Sequence, residues 1–158
     1  MIKKEVITIY TDGACRGNPG VGGWGVYINF GKEERRYQGS EPQTTNNRME
    51  LTAAIEALKI IHHYNQTNPS SDRSEVQIYT DSVYVQKGIT DWLQNWIMRS
   101  WRTSSGSAVK NIDLWKELEK LAREFAIDWR WVKGHDGNHG NTEADRLANL
   151  AIDKFLNL

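Results

Sequence analysis

The sequence predicts a mixed α/β protein: a five-stranded mixed sheet, its first three strands antiparallel, flanked by helices. Two observations carry this expectation. Segments with strand-like alternation come first in an unbroken run and only later alternate with stretches of helical periodicity. The first three strands are joined by short connections, which suit hairpins, whereas the fourth and fifth are each reached through a helix and should run parallel to the first. A chain of 158 residues suits one domain, residues 1–158, with one core.

Taken in order, Val6 to Tyr10 alternates apolar and polar residues as a half-buried strand does. Trp24 to Phe30 reads as the second strand and Glu34 to Ser40 as the third, with the turn "NFGKEE" between them. "NNRMELTAAIEALKIIHHY" is helical, since Leu51, Ile55, Leu58 and Ile61 recur at near-helical spacing. Polar "NQTNPSSDRS" breaks it before a fourth strand, Val76 to Thr80. Ser82 to Gly88 reads as a short helix closed by glycine, and "DWLQNWIMRSW" as a further, aromatic one. "NIDLWKELEKLAREF" is amphipathic; Ile127 to Val132 is a fifth strand; "KGHDGNHGN" is a flexible loop; Thr142 to Leu156 is a final helix.

Composition narrows the function classes. The single cysteine, Cys15, excludes an internal disulfide and fits a reducing, cytoplasmic setting. No apolar run is long enough to cross a membrane, and the apolar run near Met1 is too short for a signal peptide. The formal net charge is zero, which by itself speaks against a nucleic-acid binder unless acids are concentrated at one place and neutralised there. Gly20, Gly22 and Gly25 spell G-x-G-x-x-G, the nominal fingerprint of a dinucleotide site. The match fails on context, because a strand follows those glycines where a helix is required. They instead suggest a strand-to-strand connection whose thin backbone admits a nucleic-acid groove.

Four carboxylates stand out. Asp12 and Asp81 follow apolar strands in the near-identical contexts "IYTDG" and "IYTDS". If strands one and four are parallel neighbours, both acids share one sheet edge. Each alone is as well explained as the start of a turn. Glu50 suits a capping box with Asn47, in the first turn of its helix, yet it shares a stripe with Ala54, Ala57 and Ile61 that should face the sheet. Asp145 repeats that ambiguity: Thr142 could pair with it at a cap, while Asp145 aligns with Ala148, Ile152 and Phe155. Four converging acids would repel strongly unless protonated or bridged by cations. Hard oxygen ligands select Mg²⁺ or Mn²⁺, and two such ions can clamp the oxygens of a phosphoryl displacement.

The segments "YTDGACRGNPGVGGWG", "TTNNRMELTAAIEAL", "YTDSVYVQKGI", "VKNIDLW" and "WVKGHDGNHGNTEADRLA" follow one another at the spacings of the type 1 ribonuclease H family. From Ile7 to about Ile152 the chain resembles the bacterial cellular enzymes of that family. The resemblance implies a ribonuclease H-like fold and hydrolysis of the RNA strand of RNA/DNA hybrids, leaving 5′-phosphate and 3′-hydroxyl ends. It implies Asp12, Glu50, Asp81 and Asp145 as catalytic ligands of two Mg²⁺ ions, with Mn²⁺ as a possible substitute, and His135 as a loop histidine assisting proton transfer or product departure. Cys15, Asn18, Asn46 and Asn47 match positions that touch the minor groove of the hybrid, where 2′-hydroxyls distinguish RNA from DNA. Thr45 and Asn111 match positions that hold a phosphate of the DNA strand. Trp92, Trp96 and Trp101 fall in the protrusion that meets that strand; core packing is the plainer reading of some of these aromatics.

Three departures accompany the resemblance. Val83 stands where many bacterial members carry glutamine, Ile97 and Met98 stand where lysines are common, and Thr142 takes the place of an acid that here comes one position later, at Glu143. The expected partner is the RNA/DNA hybrid alone, with no membrane and no obligate protein partner, for a monomeric cytoplasmic enzyme linked to DNA replication. The start at Met1 suits a stand-alone chain. The alternatives are a non-catalytic hybrid-binding module, whose sign would be loss of an acid, and another nuclease of the same broad fold, which should lack "TTNNRMEL" and the tryptophan-rich segment.

Overall fold

The computed structural model describes residues 6–69, 75–133 and 138–158. Its five-stranded sheet has the order β3-β2-β1-β4-β5. The strands are β1 (Val6–Arg16), β2 (Gly20–Asn29), β3 (Glu34–Thr44), β4 (Glu75–Thr80) and β5 (Ile127–Trp131). β1 pairs antiparallel with β2 and parallel with β4; β2 pairs antiparallel with β3, and β4 parallel with β5. The predicted fold class, strand number and strand directions therefore hold.

The strands run further than alternation indicates. β1 continues through Asp12 and Gly13 to Arg16 because its backbone stays paired with β2, Asp12 opposite Gly25 and Arg16 opposite Val21. Likewise β2 begins at Gly20 and β3 ends at Thr44. The glycines of the G-x-G-x-x-G are strand residues, and only residues 17–19 connect the two strands.

Gly25 of that motif, and Gly23 within it, serve packing. The helix α5 (His139–Leu156) lies over β1, β2 and β3. At Gly23 a side chain would strike the Ala148 carbonyl, and at Gly25 the Ala144 carbonyl. Bare backbone at both positions lets α5 lie directly on β2. At Gly25 the missing side chain thus makes room for α5, not for the nucleic-acid groove expected there.

The opposite face is covered by α1 (Asn46–Thr67) and, beyond it, α4 (Ile112–Ala122). Ile7, Ile9, Ile28, Val76 and Ile78 from the sheet meet Leu51, Ala54, Leu58 and Ile61 of α1, with Trp115 and Leu118 of α4 closing the cluster. Full burial of a side chain of this size contributes about 1.5–3 kcal/mol. Between β4 and α4, the chain forms α2 (Val83–Lys87), a wide π-turn at Gly88–Trp92 and α3 (Leu93–Met98). The aromatic segment thus forms one turn and one short helix, and Trp101 lies beyond it with a left-handed φ of 64°. No helix among the described residues is long and apolar enough to cross a membrane.

Candidate metal centre and nucleic-acid face

β1, β4, α1 and α5 each deliver one acid to the same end of the sheet. Asp12 lies within β1, and Asp81 directly follows β4. Because Thr11 pairs with Thr80 in the parallel ladder, the two acids leave the sheet side by side. Only Asp81 follows its strand as expected; pairing with Gly25 keeps Asp12 inside β1.

Glu50 is not a capping residue. The N-cap of α1 is Thr45, whose hydroxyl accepts from the Arg48 amide at 3.3 Å. Glu50 lies one turn further in and is only 6% exposed. Its Oε1 instead accepts a 2.6 Å bond from the Gly13 amide. That bond ties the Glu50 side chain to β1. It needs glycine at 13, since a side chain there would enter the α1 backbone at Met49 and Glu50. The stripe of Glu50 with Ala54, Ala57 and Ile61 faces the sheet, as its periodicity implies.

α5 also begins earlier than expected. Asn138 is its N-cap, with Oδ1 accepting from the Asn141 amide at 3.0 Å, so Thr142 is not the cap. Asp145 is partly buried, and its Oδ1 accepts from Asn149 Nδ2 at 3.3 Å. Ala148 and Ile152 of its stripe are buried, but Phe155 is exposed where α5 outruns the sheet.

Asp12, Glu50 and Asp81 offer carboxylate oxygens that all lie within 4.8 Å of one another. Asp145 stands outside this close triad and meets Asp12 side chain to side chain. Burial, reinforced by Glu50, Asp81 and Asp145, pushes the Asp12 carboxyl far above its ordinary range. Burial followed by repulsion from Asp81 raises Glu50 as well, with partial relief from its bonds to Asp12 and Gly13. Like charges this close and this dry must hold protons or share cations. The donor set is all hard oxygen, which suits a small divalent cation and not a soft metal.

The residues expected at the nucleic-acid face form two groups beside the triad. Cys15, Asn18, Asn46 and Asn47 gather where the β1–β2 connection meets the start of α1. The Asn18 side-chain oxygen accepts from the Asn46 amide at 3.1 Å, and Cys15 Sγ donates to the carbonyls of Gly17 and Thr44. Thr45 and Asn111 lie on either side of Arg48. Arg48 Nη1 reaches Asn111 Oδ1 at 3.3 Å, and its two terminal nitrogens clasp Asp113 at 3.0 and 2.7 Å.

Trp92 and Trp96 line a groove of about 350 Å³ together with Tyr84, Arg99 and Lys110. Trp96 also packs on the fully buried Trp115, ring centroids 5.3 Å apart, so core packing and surface presentation coexist in this residue. Trp101 carries Lys116 over its ring at 5.6 Å. Val83, Ile97 and Met98 are exposed, Met98 at 81%. His135 lies outside the described residues.

Sequence reasoning overlooked Arg48 and Tyr84. Arg48 orients Asn111, and the Tyr84 hydroxyl accepts from both Asn111 Nδ2 and Trp115 Nε1, at 3.0 and 2.9 Å. Their presence in "NNRMEL" and "DSVY" is visible in the sequence, but their partners lie 27 to 65 residues away.

Comparison with known proteins gives a consistent result. Residues 4–153 match the RNase H family. The chain is similar to the ribonuclease H of Hahella chejuensis, at 52% identity over 96% of this chain and 97% of that protein. It is 51% identical to the ribonuclease H of Methylobacillus flagellatus, over 98% and 97% of the two. Among solved structures, LC9-RNase H1, described as a type 1 RNase H with the type 2 active-site motif, superposes with a TM-score of 0.82 at 36% identity, over 98% of this chain and 75% of that one. LC11-RNase H1, solved in complex with RNA/DNA hybrid, gives 0.72 at 25% identity, over 95% and 99%.

Proposed function

Because this chain belongs to the ribonuclease H family, we propose that it is an endonuclease that hydrolyses the RNA strand of RNA/DNA hybrids with divalent metal, leaving 5′-phosphate and 3′-hydroxyl ends. The observation that carries the reading is the buried triad of Asp12, Glu50 and Asp81, whose oxygens converge within 4.8 Å. These three, with Asp145 against Asp12, would hold Mg²⁺, with Mn²⁺ as the substitute; two ions would activate the attacking water and stabilise the leaving oxygen.

The chain's own part is to place and to discriminate. The Gly13 amide anchors Glu50, holding its carboxylate beside Asp12 and Asp81. The ladder that pairs Thr11 with Thr80 brings Asp12, inside β1, beside Asp81, the first residue after β4, which supports their use as ligands of one centre. Asn46, Asn47, Asn18 and Cys15 present neutral donors and acceptors suited to sugar hydroxyls. Thr45 and Asn111 would hold a phosphate of the DNA strand, with Trp92, Trp96 and Trp101 beside it; stacking on aromatic faces tolerates any base. His135 is assigned its proton-transfer role from the sequence alone, as the histidine of "KGHDG". A reducing, cytoplasmic setting fits the single cysteine of the sequence, and the enzyme is read as a single-domain monomer.

The test compares RNA/DNA hybrid, duplex DNA and duplex RNA as substrates, each with Mg²⁺ and with EDTA. Cleavage confined to the hybrid and abolished by EDTA is expected. Preferential cleavage of duplex DNA would point to another nuclease of this fold, and binding without metal-dependent turnover to a non-catalytic module.

A further inference from the structure

On the α5 side of the sheet, three tyrosine rings form a row across β2, β1 and β4. Tyr10 stacks on Tyr79 at 4.7 Å and 14° and on Tyr27 at 6.1 Å and 29°. Tyr10 and Tyr79 are register partners in the parallel ladder, and each lies two residues before an acid of the centre, Asp12 and Asp81. The start of α5 rests on this row. Gly140 sits so close to the Tyr10 ring that a side chain there would enter it. The Tyr10 hydroxyl lies against the side chain of Asn138, the N-cap. His139 meets the edge of Tyr27 at 5.8 Å and 85°.

Beside the row is an open recess of about 430 Å³, bordered by Thr8, Asn29 and Gln77. The first turn of α5 is therefore seated on aromatic rings at the margin of an open recess. Asp145 follows within two turns on the same helix, in contact with Asp12. A tilt of the helix start is carried to Asp145 by a rigid rod, while Asp12, Glu50 and Asp81 stay in place on other elements.

We propose that Tyr10, flanked by Tyr27 and Tyr79, is a positioning residue for the reaction: its ring is the seat that sets the height of α5 and so the approach of Asp145 to Asp12. It touches neither substrate nor metal. The inference rests on the reading of Asp145 as a metal ligand. Misplacement of a reacting group by about 1 Å can cost on the order of a hundredfold in rate, whereas the hybrid-binding surfaces lie on other elements.

The experiment uses the full chain with Tyr10→Leu and Tyr10→Phe, measuring kcat and KM on hybrid and Mg²⁺ binding by calorimetry without substrate. Tyr10→Leu should lower kcat by about tenfold or more and weaken Mg²⁺ binding several-fold, with KM within about twofold of the wild type. Tyr10→Phe keeps the ring on Gly140 and should retain more than about half of kcat. If Tyr10→Leu does not fold, Gly140→Ala lifts the helix with the ring intact and should show the same signature. Wild-type kcat and Mg²⁺ binding in a folded Tyr10→Leu or Gly140→Ala overturns the inference, as does a Tyr10→Phe that loses as much as Tyr10→Leu. Absence of metal-dependent hybrid cleavage by the wild type would instead overturn the functional reading beneath it.

Discussion

Asp12 has two separable properties, one chemical and one energetic. Its carboxylate is needed as a ligand, and its burial at 5% exposure is tolerated only with a proton or a cation. Asp12→Asn should therefore lower hybrid cleavage by more than about a hundredfold, since even residues behind the ligands of a metal commonly cost ten- to a hundredfold. Hybrid affinity, read by fluorescence anisotropy in Ca²⁺ or EDTA, should stay within a few-fold. Ser100 is a different case. It holds a left-handed φ of 55° without a glycine's freedom, at a cost of roughly 1–2 kcal/mol. Ser100→Gly should therefore stabilise the fold by roughly 0.5–1 kcal/mol after the extra chain entropy of glycine is deducted. A denaturant midpoint that falls would contradict this account.

Helix starts were the least legible elements, and the reason is local degeneracy. "TTNN" offers four adjacent capping residues and "NHGNT" offers three, so propensity cannot choose among them. Tertiary contact chooses: Thr45 caps α1 because Glu50 must reach Gly13, and Asn138 caps α5 because Gly140 fits only against Tyr10. Strand ends were hidden for a related reason, since "DGACRG" has turn-like composition that pairing with β2 overrides. By contrast, the α1 stripe, the parallel β1–β4 pair and the Asp12–Asp81 proximity follow from periodicity and connection length alone. Among the aromatic residues of the α3 region, Trp96 carries both roles. Packed on Trp92 and Trp115 yet only partly buried, it should cost on the order of 1–3 kcal/mol of stability as Trp96→Ala, less than a fully buried aromatic. Comparing urea unfolding with hybrid affinity separates that loss from any loss of binding.

At the scale of the molecule, zero net charge conceals a strong local excess of acid at the centre, while an acid such as Glu143 is neutralised by its own pairs with Arg36 and Arg146. Glu143 is held down to about 2 by those arginines, Arg146 first. It therefore lends stability that is whole above its ordinary range and lost as pH falls toward that value. Asp12 and Glu50 have the opposite sign. Their folded, metal-free forms keep protons that the unfolded chain releases near pH 4. Their contribution is whole below that pH and is progressively lost as pH rises toward their raised folded values. Melting temperature in EDTA should thus decline from about pH 5 to pH 8, and Asp12→Asn should flatten the decline. Saturating Mg²⁺ should restore the loss, since a ligand at a hundred times its Kd adds about 2.7 kcal/mol. A metal-free melting temperature that climbs steadily through that range would show that the acids are not protonated together as their burial requires.

The hub around Tyr84 can be read as a count of hydrogens. Its oxygen receives one from Asn111 and one from Trp115, which uses both lone pairs. The hydroxyl's own hydrogen then has no place in that hub and is left for an acceptor elsewhere. Tyr84 borders the groove shared by Trp92, Arg99 and Lys110, so that hydrogen is at hand on the groove side. A buried tryptophan thereby sets the polarity of a surface it never reaches.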